Sequence, residues 1–589
     1  MKQSRAAEDH SDSRHNSKAG HGSPRLSLFG VHRCDLLACL IVIAGAVILA
    51  LPILVRGFPN GDDGFVHYRW AAEFHEAFRE KGVFYPRWLS SANNGQGSPV
   101  MLYFPPLPLF VSEAINALVR NTMLALQLSC LLGMTASGLA LYVLARALVS
   151  PVPSLFAAIL YMVAPYHIFD LYHRTAISEY WAFVWVPLVL DAIGRIAKGA
   201  GWRTVIYLAL SFSLLVFSHV IMAFAVMLVL PVFALMLTRK PRRLIEVASG
   251  LALGAGITAV FTASIIFERD YSRIHRALRL KYANNFQFEN LFNSINVRLF
   301  TREEVRLYFG EWIDVTAFCV VLLVIAALLV IWSRRRDEHQ RLGNALLRAM
   351  LAVTGLSLLM TARVSSPIWR VIPKLPYMQF PFRWLVIATL GACVLAGIAF
   401  STLLGSFRRS FLCSATLAAV VVFNLTISGL AIARASHDRL PLEEGLTALE
   451  VPEYRPVQWD NELHMQEPLP AIALKAGEAD LRIIDDQGIE QSYEIDASVE
   501  SELQLRQLYF PGWVARIDEH PIDLQSTEDG HLKLIVPGGR HTLTLKFGDT
   551  RPRFAGKLFS AASLMICVLI AVFSRHSFSK KEPLASGVI

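Results

Sequence analysis

Residues 35–55 read DLLACLIVIAGAVILALPILV, a run of 21 residues whose one charged side chain, Asp35, stands at its start. A helix needs about 20 mainly apolar residues to cross the roughly 30 Å hydrocarbon core of a bilayer. Similar runs recur along the chain, whose 589 residues are 54% hydrophobic and 17% charged. This composition excludes a soluble enzyme, a disulfide-rich secreted protein and a disordered chain. The sequence therefore predicts an all-α polytopic membrane domain.

Candidate spans occur at 35–55, 104–119, 122–146, 154–169, 178–196, 203–218, 220–238, 243–267, 313–332, 344–361, 383–404, 410–433 and 556–574. Basic residues beside the spans mark the cytoplasmic side of a membrane protein. If run 104–119 does not cross the membrane, all the basic clusters between these runs lie on the same side of the membrane as the N-terminus. If it does cross, most of them lie on the opposite side. That run starts with Phe-Pro-Pro and contains Glu113 and Asn116. We therefore predict about twelve transmembrane helices, both termini in the cytoplasm, and a juxtamembrane or re-entrant helix on the outer face at 104–119.

A change in composition marks a second unit near the C-terminus. Residues 435–552 contain 23 Asp and Glu against 10 Lys and Arg, whereas the rest of the chain is strongly basic. Segments 532–536 and 541–547 alternate apolar and polar residues and are separated by a Pro-Gly-Gly turn, which is typical of antiparallel strands. We predict a small extracytoplasmic β-sandwich domain in this region. It has no cysteine and therefore folds without disulfides.

These two units give the predicted organisation of the chain. It comprises a disordered cytoplasmic tail (1–34), a transmembrane domain (35–434) with outer loops 56–121 and 268–312, the β domain (435–555), the last transmembrane helix (556–574) and a cytoplasmic tail (575–589). The basic residues of the membrane domain lie in short loops, where they set orientation, so we predict no nucleic-acid partner. All seven cysteines lie in or beside apolar runs, which argues against a cysteine-based zinc site.

The richest group of ionisable residues follows the first span. The sequence GDDGFVH contains the adjacent Asp62 and Asp63, and His67 follows four residues after Asp63. Two carboxylates and a histidine can act as a general base and can bind a divalent cation such as Mg or Mn. If a helix starts here, Asp63 and His67 share a face. The simpler interpretation is that Asp62 or Asp63 caps this helix, with Asp62 the better cap.

Further charged residues stand at the outer ends of later spans. Arg174 could bind a lipid phosphate or form an ion pair with Glu179 that orients two helices. His219 could bind a metal or a phosphate, or it could cap a helix. Arg383 could meet a phosphate or only extend toward the membrane surface. Arg87, in a Tyr-Pro-Arg-Trp segment, also suits a phosphate or a sugar.

The motifs Gly-Asp-Asp-x3-His, Tyr-Pro-Arg-Trp, Gly-x-Gly-x-Pro and Tyr-x-Pro-Pro-Leu follow one another in an order that resembles the glycosyltransferase C (GT-C) superfamily of membrane enzymes. The resemblance is closest to bacterial 6-pyruvoyl-tetrahydropterin synthase-related membrane proteins, and it does not imply pterin chemistry. It covers about residues 35–434 and extends to the Tyr-Phe-Pro-Gly-Trp segment at 509–513. It implies a transferase in the bacterial cytoplasmic (inner) membrane. This enzyme would move a sugar from a polyprenyl-phosphate donor to a glycan, lipid or protein acceptor of the cell envelope.

The resemblance implies that Asp63 or Asp62 is the catalytic base and that the Pro-Pro-Leu segment forms a juxtamembrane helix. Binding of the lipid phosphate is predicted for three arginines, Arg87, Arg174 and Arg383. Support of the acceptor or of a metal ion is predicted for His67, His219 and Glu179. The candidate metal ligands are Asp62, Asp63 and His67.

Two other functions stay open. One is a transporter or flippase of lipid-linked glycans, which should have symmetric halves, broken helices near the midplane and charges deep in its spans. The charges of this chain gather at the outer ends of its predicted spans instead, which favours the transferase. The other is a non-catalytic relative that acts in envelope assembly, and the sequence does not exclude it.

Overall fold

The computed structural model describes residues 33–80, 82–274, 309–333, 341–378, 380–404, 411–435, 451–459 and 469–579. Almost all of the predicted N-terminal tail, most of loop 268–312, residues 436–450 and 460–468 of the predicted β domain, and the end of the C-terminal tail lie outside these ranges. The described chain combines long apolar helices with a small β domain of two sheets, which confirms the predicted fold class.

The described α-helices of five residues or more are α1 (Arg33–Arg56), α2 (Gly64–His75), α3 (Leu107–Val119), α4 (Thr122–Arg146), α5 (Pro151–Met162), α6 (Pro165–Phe169), α7 (Ile177–Ala197), α8 (Trp202–Ser218), α9 (Val220–Leu237), α10 (Pro241–Ile257), α11 (Ala259–Phe267), α12 (Phe309–Trp332), α13 (Arg341–Thr361), α14 (Ser366–Val371), α15 (Leu385–Leu404), α16 (Phe411–Arg434) and α17 (Arg551–Ser579). A π-helical turn, Asp170–Arg174, continues α6.

Within the described ranges, nine helical segments are long and apolar enough to cross a membrane. Helices α5 and α6 with their π-helical turn count as one of them, Pro151–Arg174. Two bent pairs, α10 with α11 and α13 with the segment that contains α14, raise the number to eleven if each pair is one span. Helix α8 has 17 residues and is shorter. The predicted twelve spans result when α8 also crosses.

Helix α3 is the helix that we predict not to cross. Its 13 residues extend about 20 Å, well short of a bilayer core. Its polar residues contact α2 and the turn after α2. Glu113 lies 2.8 Å from Nδ1 of His75 and 3.3 Å from the guanidinium of Arg79, and Asn116 also lies 2.8 Å from His75. A polar face with such partners suits a helix at the membrane surface.

We expect a reporter fused after Asn121 to lie outside the cytoplasm and one fused after Arg146 to lie inside it. Asn121 caps α4 by accepting a hydrogen bond from the backbone N–H of Leu124 (2.9 Å), and Arg146 ends the same helix. The two positions therefore stand at opposite ends of one span. Paired alkaline phosphatase and fluorescent-protein fusions measure the sidedness. A cytoplasmic signal at Asn121 would require α3 to cross and would contradict the twelve-span assignment.

The described strands are β1 (Ile472–Ala476), β2 (Ala479–Gln487), β3 (Glu490–Ala497), β4 (Ser501–Leu508), β5 (Trp513–Ile517), β6 (His520–Ile522), β7 (Gln525–Ser526), β8 (His531–Val536) and β9 (Gly539–Phe547). They pair into two antiparallel sheets of order β1-β4-β8-β7 and β2-β3-β9-β5-β6. Alternate side chains, such as Leu503 and Leu505 of β4 and Leu543 and Leu545 of β9, are buried in one shared core. The predicted β-sandwich is confirmed.

The core of the β domain includes side chains from the loop after the first span. Trp88, buried to 1% exposure, packs beside Trp513 and Phe547 and donates a hydrogen bond from Nε1 to Oε1 of Gln507 (2.9 Å). The backbone N–H of Leu508 donates to the carbonyl of Gln96 (2.9 Å). The β domain is therefore built together with the first loop and is not merely tethered by the last helix.

A buried ion pair joins the β domain to two helices. Nε of Arg553 in α17 lies 2.9 Å from Oε2 of Glu268, which directly follows α11. The same guanidinium donates to the backbone carbonyls of Pro511 (2.7 Å) and Gly548 (3.0 Å) in the β domain. Arg553 is completely buried and Glu268 is 2% exposed. One arginine thus ties together the last helix, the end of α11 and the sandwich.

Helices α10 and α11 meet at a 75° bend, although the sequence predicts one span at 243–267. A side chain of α17 supplies partners at the bend. The hydroxyl of Ser560 donates to the carbonyl of Ile257 (2.8 Å) and accepts from the N–H of Val260 (2.8 Å). Gly556 allows the close approach, because a Cβ there would lie 2.5 Å from the carbonyl oxygen of Ala259. The bend is thus a docking site for the last helix.

Candidate functional site

Backbone hydrogen bonds hold the two predicted acids, Asp62 and Asp63, against the connection between α6 and α7. The N–H of Asp62 donates to the carbonyl of His173 (3.1 Å), and the N–H of Asp63 donates to the carbonyl of Arg174 (3.0 Å). Gly61 donates to Oγ1 of Thr175 (3.1 Å). A Cβ on Gly61 would lie 2.3 Å from the His173 carbonyl oxygen, so this contact requires glycine. These hydrogen bonds therefore fix the first loop against the connection between α6 and α7.

Helix α2 begins directly after the acids. Asp63 occupies the N-cap position, where the sequence favoured Asp62, and its side chain makes no capping hydrogen bond. The side chains of both acids are exposed. Protein atoms around Asp62 displace part of its hydration and raise its pKa; the neighbouring Asp63 charge adds to this rise, and Arg174 opposes it. The carboxylates are thus available to a ligand at this surface.

A buried ionic cluster lies next to the acids, and it consists of Asp170, Arg174, Glu179 and Arg383. Arg174 pairs with Asp170 and with Glu179 (2.9 Å), and Arg383 pairs with Glu179 at 3.3 Å. The Tyr166 hydroxyl donates to Glu179 at 2.7 Å. Every member is less than 9% exposed. The ion pair between Arg174 and Glu179, one of the two interpretations of these residues, is present.

The acids and His219 interact with this cluster. The Asp63 carboxylate interacts electrostatically with Asp170, Arg174 and Arg383. His219, between α8 and α9, interacts with Glu179 and with both arginines of the cluster, and its Nδ1 accepts a hydrogen bond from the N–H of Met222 (2.9 Å). The capping role that the sequence allowed for His219 is therefore present. Six of the eight predicted site residues come together here.

His67 and Arg87 take no part in the ion pairs of this group, although the charges of Asp63 and Arg174 act on His67. The ring of His67 is buried and packs against Trp70 and Phe104, with ring centroids 5.9 and 5.5 Å away. Arg87 lies over the Tyr85 ring and pairs with Asp549, at the end of the β domain. Arg87 thus belongs to the contact between the first loop and the β domain.

The predicted metal ligands do not form a preformed site. In the described parts of the chain, no three His, Cys, Asp or Glu side chains are arranged to hold a metal ion. The three predicted ligands do not converge, because the Asp62 and Asp63 carboxylates are exposed, whereas the His67 ring is enclosed by aromatic side chains. A cation at the two carboxylates would need further ligands from water or from a substrate.

Sequence reasoning did not include Tyr166 or Asp170 among the site residues. Asp170 had a signal, because it is a charged residue at a span end four residues before Arg174. Tyr166 had none, since its partner Glu179 lies 13 residues later across a break between helices. The sequence also does not reveal that an aromatic ring covers Arg174, whose Cζ lies 5.1 Å from the centroid of the Phe382 ring.

We expect His67 to make the protein less stable in acid. Burial lowers the pKa of His67 to about 4; the Asp63 charge opposes this shift and the Arg174 charge adds to it. The pKa in the unfolded chain is about 6.5, so the unfolded state binds more protons between these values and stability falls as the pH falls. The loss from pH 7.5 to pH 5 should be on the order of 2 kcal/mol.

The test compares melting temperatures of the wild type and His67→Phe in detergent across this pH range. Phenylalanine suits the aromatic surroundings and cannot titrate, so the variant should show a flatter pH dependence. An unchanged pH dependence would show that His67 is not the titrating group.

Comparisons with known proteins give a family and several similar structures. A family model described as 6-pyruvoyl-tetrahydropterin synthase related domain, membrane protein, matches residues 101–436, more than half of the chain. No curated protein matches in a sequence comparison. The structure is similar to that of an oligosaccharyltransferase from Archaeoglobus fulgidus in its apo form, with 12% identity, a TM-score of 0.38 and coverage of 72% of this chain and 62% of that one.

Two further structures of the archaeal oligosaccharyltransferase are similar to the same degree. The complex with an inhibitory peptide and a dolichol-phosphate has 13% identity, a TM-score of 0.38 and coverage of 73% of this chain and 62% of that one. The complex with Zn and sulfate has 13% identity, a TM-score of 0.39 and coverage of 73% and 58%. The chain therefore spans about three fifths of the length of these proteins.

Proposed function

This chain belongs to the family of 6-pyruvoyl-tetrahydropterin synthase related membrane proteins, and from that premise we propose that it is a glycosyltransferase of the GT-C type. It would move a sugar from a polyprenyl-phosphate donor to a glycan, lipid or protein acceptor of the cell envelope. One observation carries the proposal: two exposed carboxylates, Asp62 and Asp63, are held by backbone hydrogen bonds beside the buried arginines Arg174 and Arg383.

In the proposed reaction, Asp63 acts as the general base. The acceptor hydroxyl gives its proton to the Asp63 carboxylate while its oxygen bonds to the anomeric carbon of the sugar. The bond between that carbon and the phosphate oxygen breaks, and the polyprenyl phosphate leaves with the bonding electrons and one more negative charge. Arg174 and Arg383 would stabilise this charge. Because both arginines already pair with Glu179, the phosphate would compete with that carboxylate.

The charge balance supports a role for a divalent cation. Asp62 and Asp63 add two exposed carboxylates beside the buried ion pairs, and negative charge at these positions would repel a phosphate. Mg²⁺ is commonly held by one or two carboxylates plus substrate phosphates and water. Asp62 and Asp63 would hold such an ion, which would neutralise part of the donor's charge.

We also propose that the acids and the β domain lie on the extracytoplasmic face of a bacterial cytoplasmic membrane. The support is the distribution of basic residues, which places both termini in the cytoplasm when α3 does not cross. Polyprenyl-phosphate donors would then meet their acceptors outside the cytoplasm.

A specific observation favours the transporter as a second candidate. The bends of 75° and 88° in two helix pairs correspond to the broken helices that the sequence did not reveal. At the first bend, however, Ser560 bonds both to Ile257 and to Val260, so these backbone groups are not free to bind a substrate. The first bend is thus a contact between helices, and the exposed acids beside the buried arginines favour the transferase.

The experiment that separates the two functions follows sugar transfer and lipid movement in the same proteoliposomes. A panel of radiolabelled polyprenyl-phosphate hexoses is supplied with envelope glycan extracts as acceptors. Acceptor labelling with equal release of polyprenyl phosphate is the expected result. Movement of labelled lipid between leaflets with no release from any donor would contradict the transferase and support the flippase. The absence of both activities across the panel would favour the non-catalytic relative.

A further inference from the structure

A groove separate from the ionic cluster lies where the first loop, three helices and the β domain meet. Its volume is about 510 Å³, within the range of small-ligand sites. Its walls are mainly apolar and include Phe84, Leu107, Phe110, Phe217, Val260 and Phe547. None of Asp170, Arg174, Glu179 and Arg383 lines it. A ligand in this groove would therefore not contact the cluster.

The groove has a charged end. Arg87 and Lys557 bond to different oxygens of the Asp549 carboxylate. Burial alone would raise the pKa of Asp549, but the hydrogen bond from Lys557 and the two cationic neighbours outweigh it and lower the pKa. Asp549 is therefore ionised at neutral pH, and two cations share one anion. The charged end carries a surplus positive charge.

Exposed apolar side chains lie on α17 and α11, the helices that contribute Lys557 and Val260 to the groove. On α17, Phe554, Leu558 and Phe559 are 58%, 57% and 66% exposed, and on α11, Ile266 and Phe267 are 58% and 65% exposed. Helix α17 is apolar enough to cross the membrane. Exposed side chains of this kind on a spanning helix contact hydrocarbon. The two helices that contribute Lys557 and Val260 to the groove therefore have apolar surfaces suited to lipid.

We propose that this groove binds one acyl chain of an anionic phospholipid from the leaflet on the β-domain side, with the lipid phosphate at Arg87 and Lys557. The apolar walls match the chain, and the surplus cation matches the headgroup. The lipid would bridge the first loop, α17 and the β domain. This site is independent of the proposed function and would exist in a transferase, a flippase or a non-catalytic protein.

The test measures lipid binding to the purified full-length protein by native mass spectrometry. Phosphatidylglycerol and phosphatidylcholine with identical chains are the probes. We expect tighter binding of phosphatidylglycerol, and Lys557→Gln should weaken it roughly fivefold, the scale of one basic residue near an anionic lipid surface. The matched control is Arg551→Gln, because Arg551 is an exposed cation at the start of the same helix and does not line the groove.

Asp549→Asn makes the test sharper, because it removes the anion that competes with the lipid phosphate. The proposal expects tighter binding of phosphatidylglycerol to this variant, whereas a purely structural Arg87–Asp549–Lys557 contact predicts no gain. Val260→Phe narrows the groove with no change of charge and should weaken binding of both lipids. Melting curves identify any variant that is not folded.

Three results would overturn the proposal. They are equal binding of the two phospholipids, no change in binding for Lys557→Gln together with Val260→Phe, and a clear preference for polyprenyl phosphate over phosphatidylglycerol. The last result would make the groove a donor site.

Discussion

Asp63→Asn should lower the rate of sugar transfer at least ~100-fold, the usual scale for loss of a general base, while the amount of folded protein stays the same. Asparagine keeps the shape of the side chain and removes its charge. Asp63 is exposed and makes no capping hydrogen bond, so its carboxylate is not needed to hold α2. Its backbone contact with Arg174 persists in the variant, and the loop should keep its place.

Asp62→Asn is the companion variant, because Asp62 neighbours Asp63 and is also exposed. It should lower the rate less than Asp63→Asn, because it removes one proposed cation ligand and leaves the base in place. The pH dependence gives a further test of Asp62: because its pKa is raised, a rate that depended on Asp62 as the base would begin to fall on acidification at a pH above the range of an ordinary aspartate. Near-normal transfer by Asp63→Asn with loss in Asp62→Asn would reverse the assignment. Activity in both variants would remove this loop from the catalytic site.

Arg553→Met should destabilise the attachment of the β domain by about 3–5 kcal/mol, the range for loss of one partner of a buried ion pair. The variant leaves the Glu268 carboxylate buried without its cation and leaves the carbonyls of Pro511 and Gly548 without their donor. Methionine fills a similar volume, so the effect reports on charge and hydrogen bonds. Hydrogen exchange of the β-domain strands measures the loss.

Glu268→Gln alone should also destabilise, because it leaves a buried guanidinium without its anion. The double variant Glu268→Gln with Arg553→Met should lose less than the sum of the two single losses, since neither charge is then left alone. Strictly additive losses would show that the two residues are not coupled. Wild-type exchange rates in Arg553→Met would show that this contact does not hold the domain.

Local patterns explain which parts of the fold could be predicted. Spans are set by runs of about 20 residues, and the limits of α3 follow from its Pro-Pro start and its polar residues, so hydropathy and charge were sufficient. The bend between α10 and α11 depends on Ser560, which stands 300 residues from Val260. The entry of Trp88 into the sandwich depends on Gln507, 419 residues away. No local pattern contains such partners.

The same distinction applies to the candidate site. Asp62, Asp63, Arg174 and Glu179 could be identified because charge beside an apolar run is visible in the sequence. The burial of His67 could not, because it depends on Phe104, which belongs to a separate segment. Arg87 has the residue type for a phosphate site, but its partner Asp549 lies 462 residues later. Residue type gives a hypothesis about chemistry, and distant packing decides where each side chain lies.

The contact between Trp88 and Gln507 also constrains how the chain is made. At about 5–20 residues per second, the 419 residues between them take roughly 20–80 s to synthesise. For that interval the indole of Trp88 has no sandwich to enter. A nascent chain that stops before β9 would keep this aromatic side chain uncovered. The first loop can therefore complete its packing only after the strands of the sandwich have been synthesised. Chains truncated before β9 would expose Trp88 to chaperones and proteases.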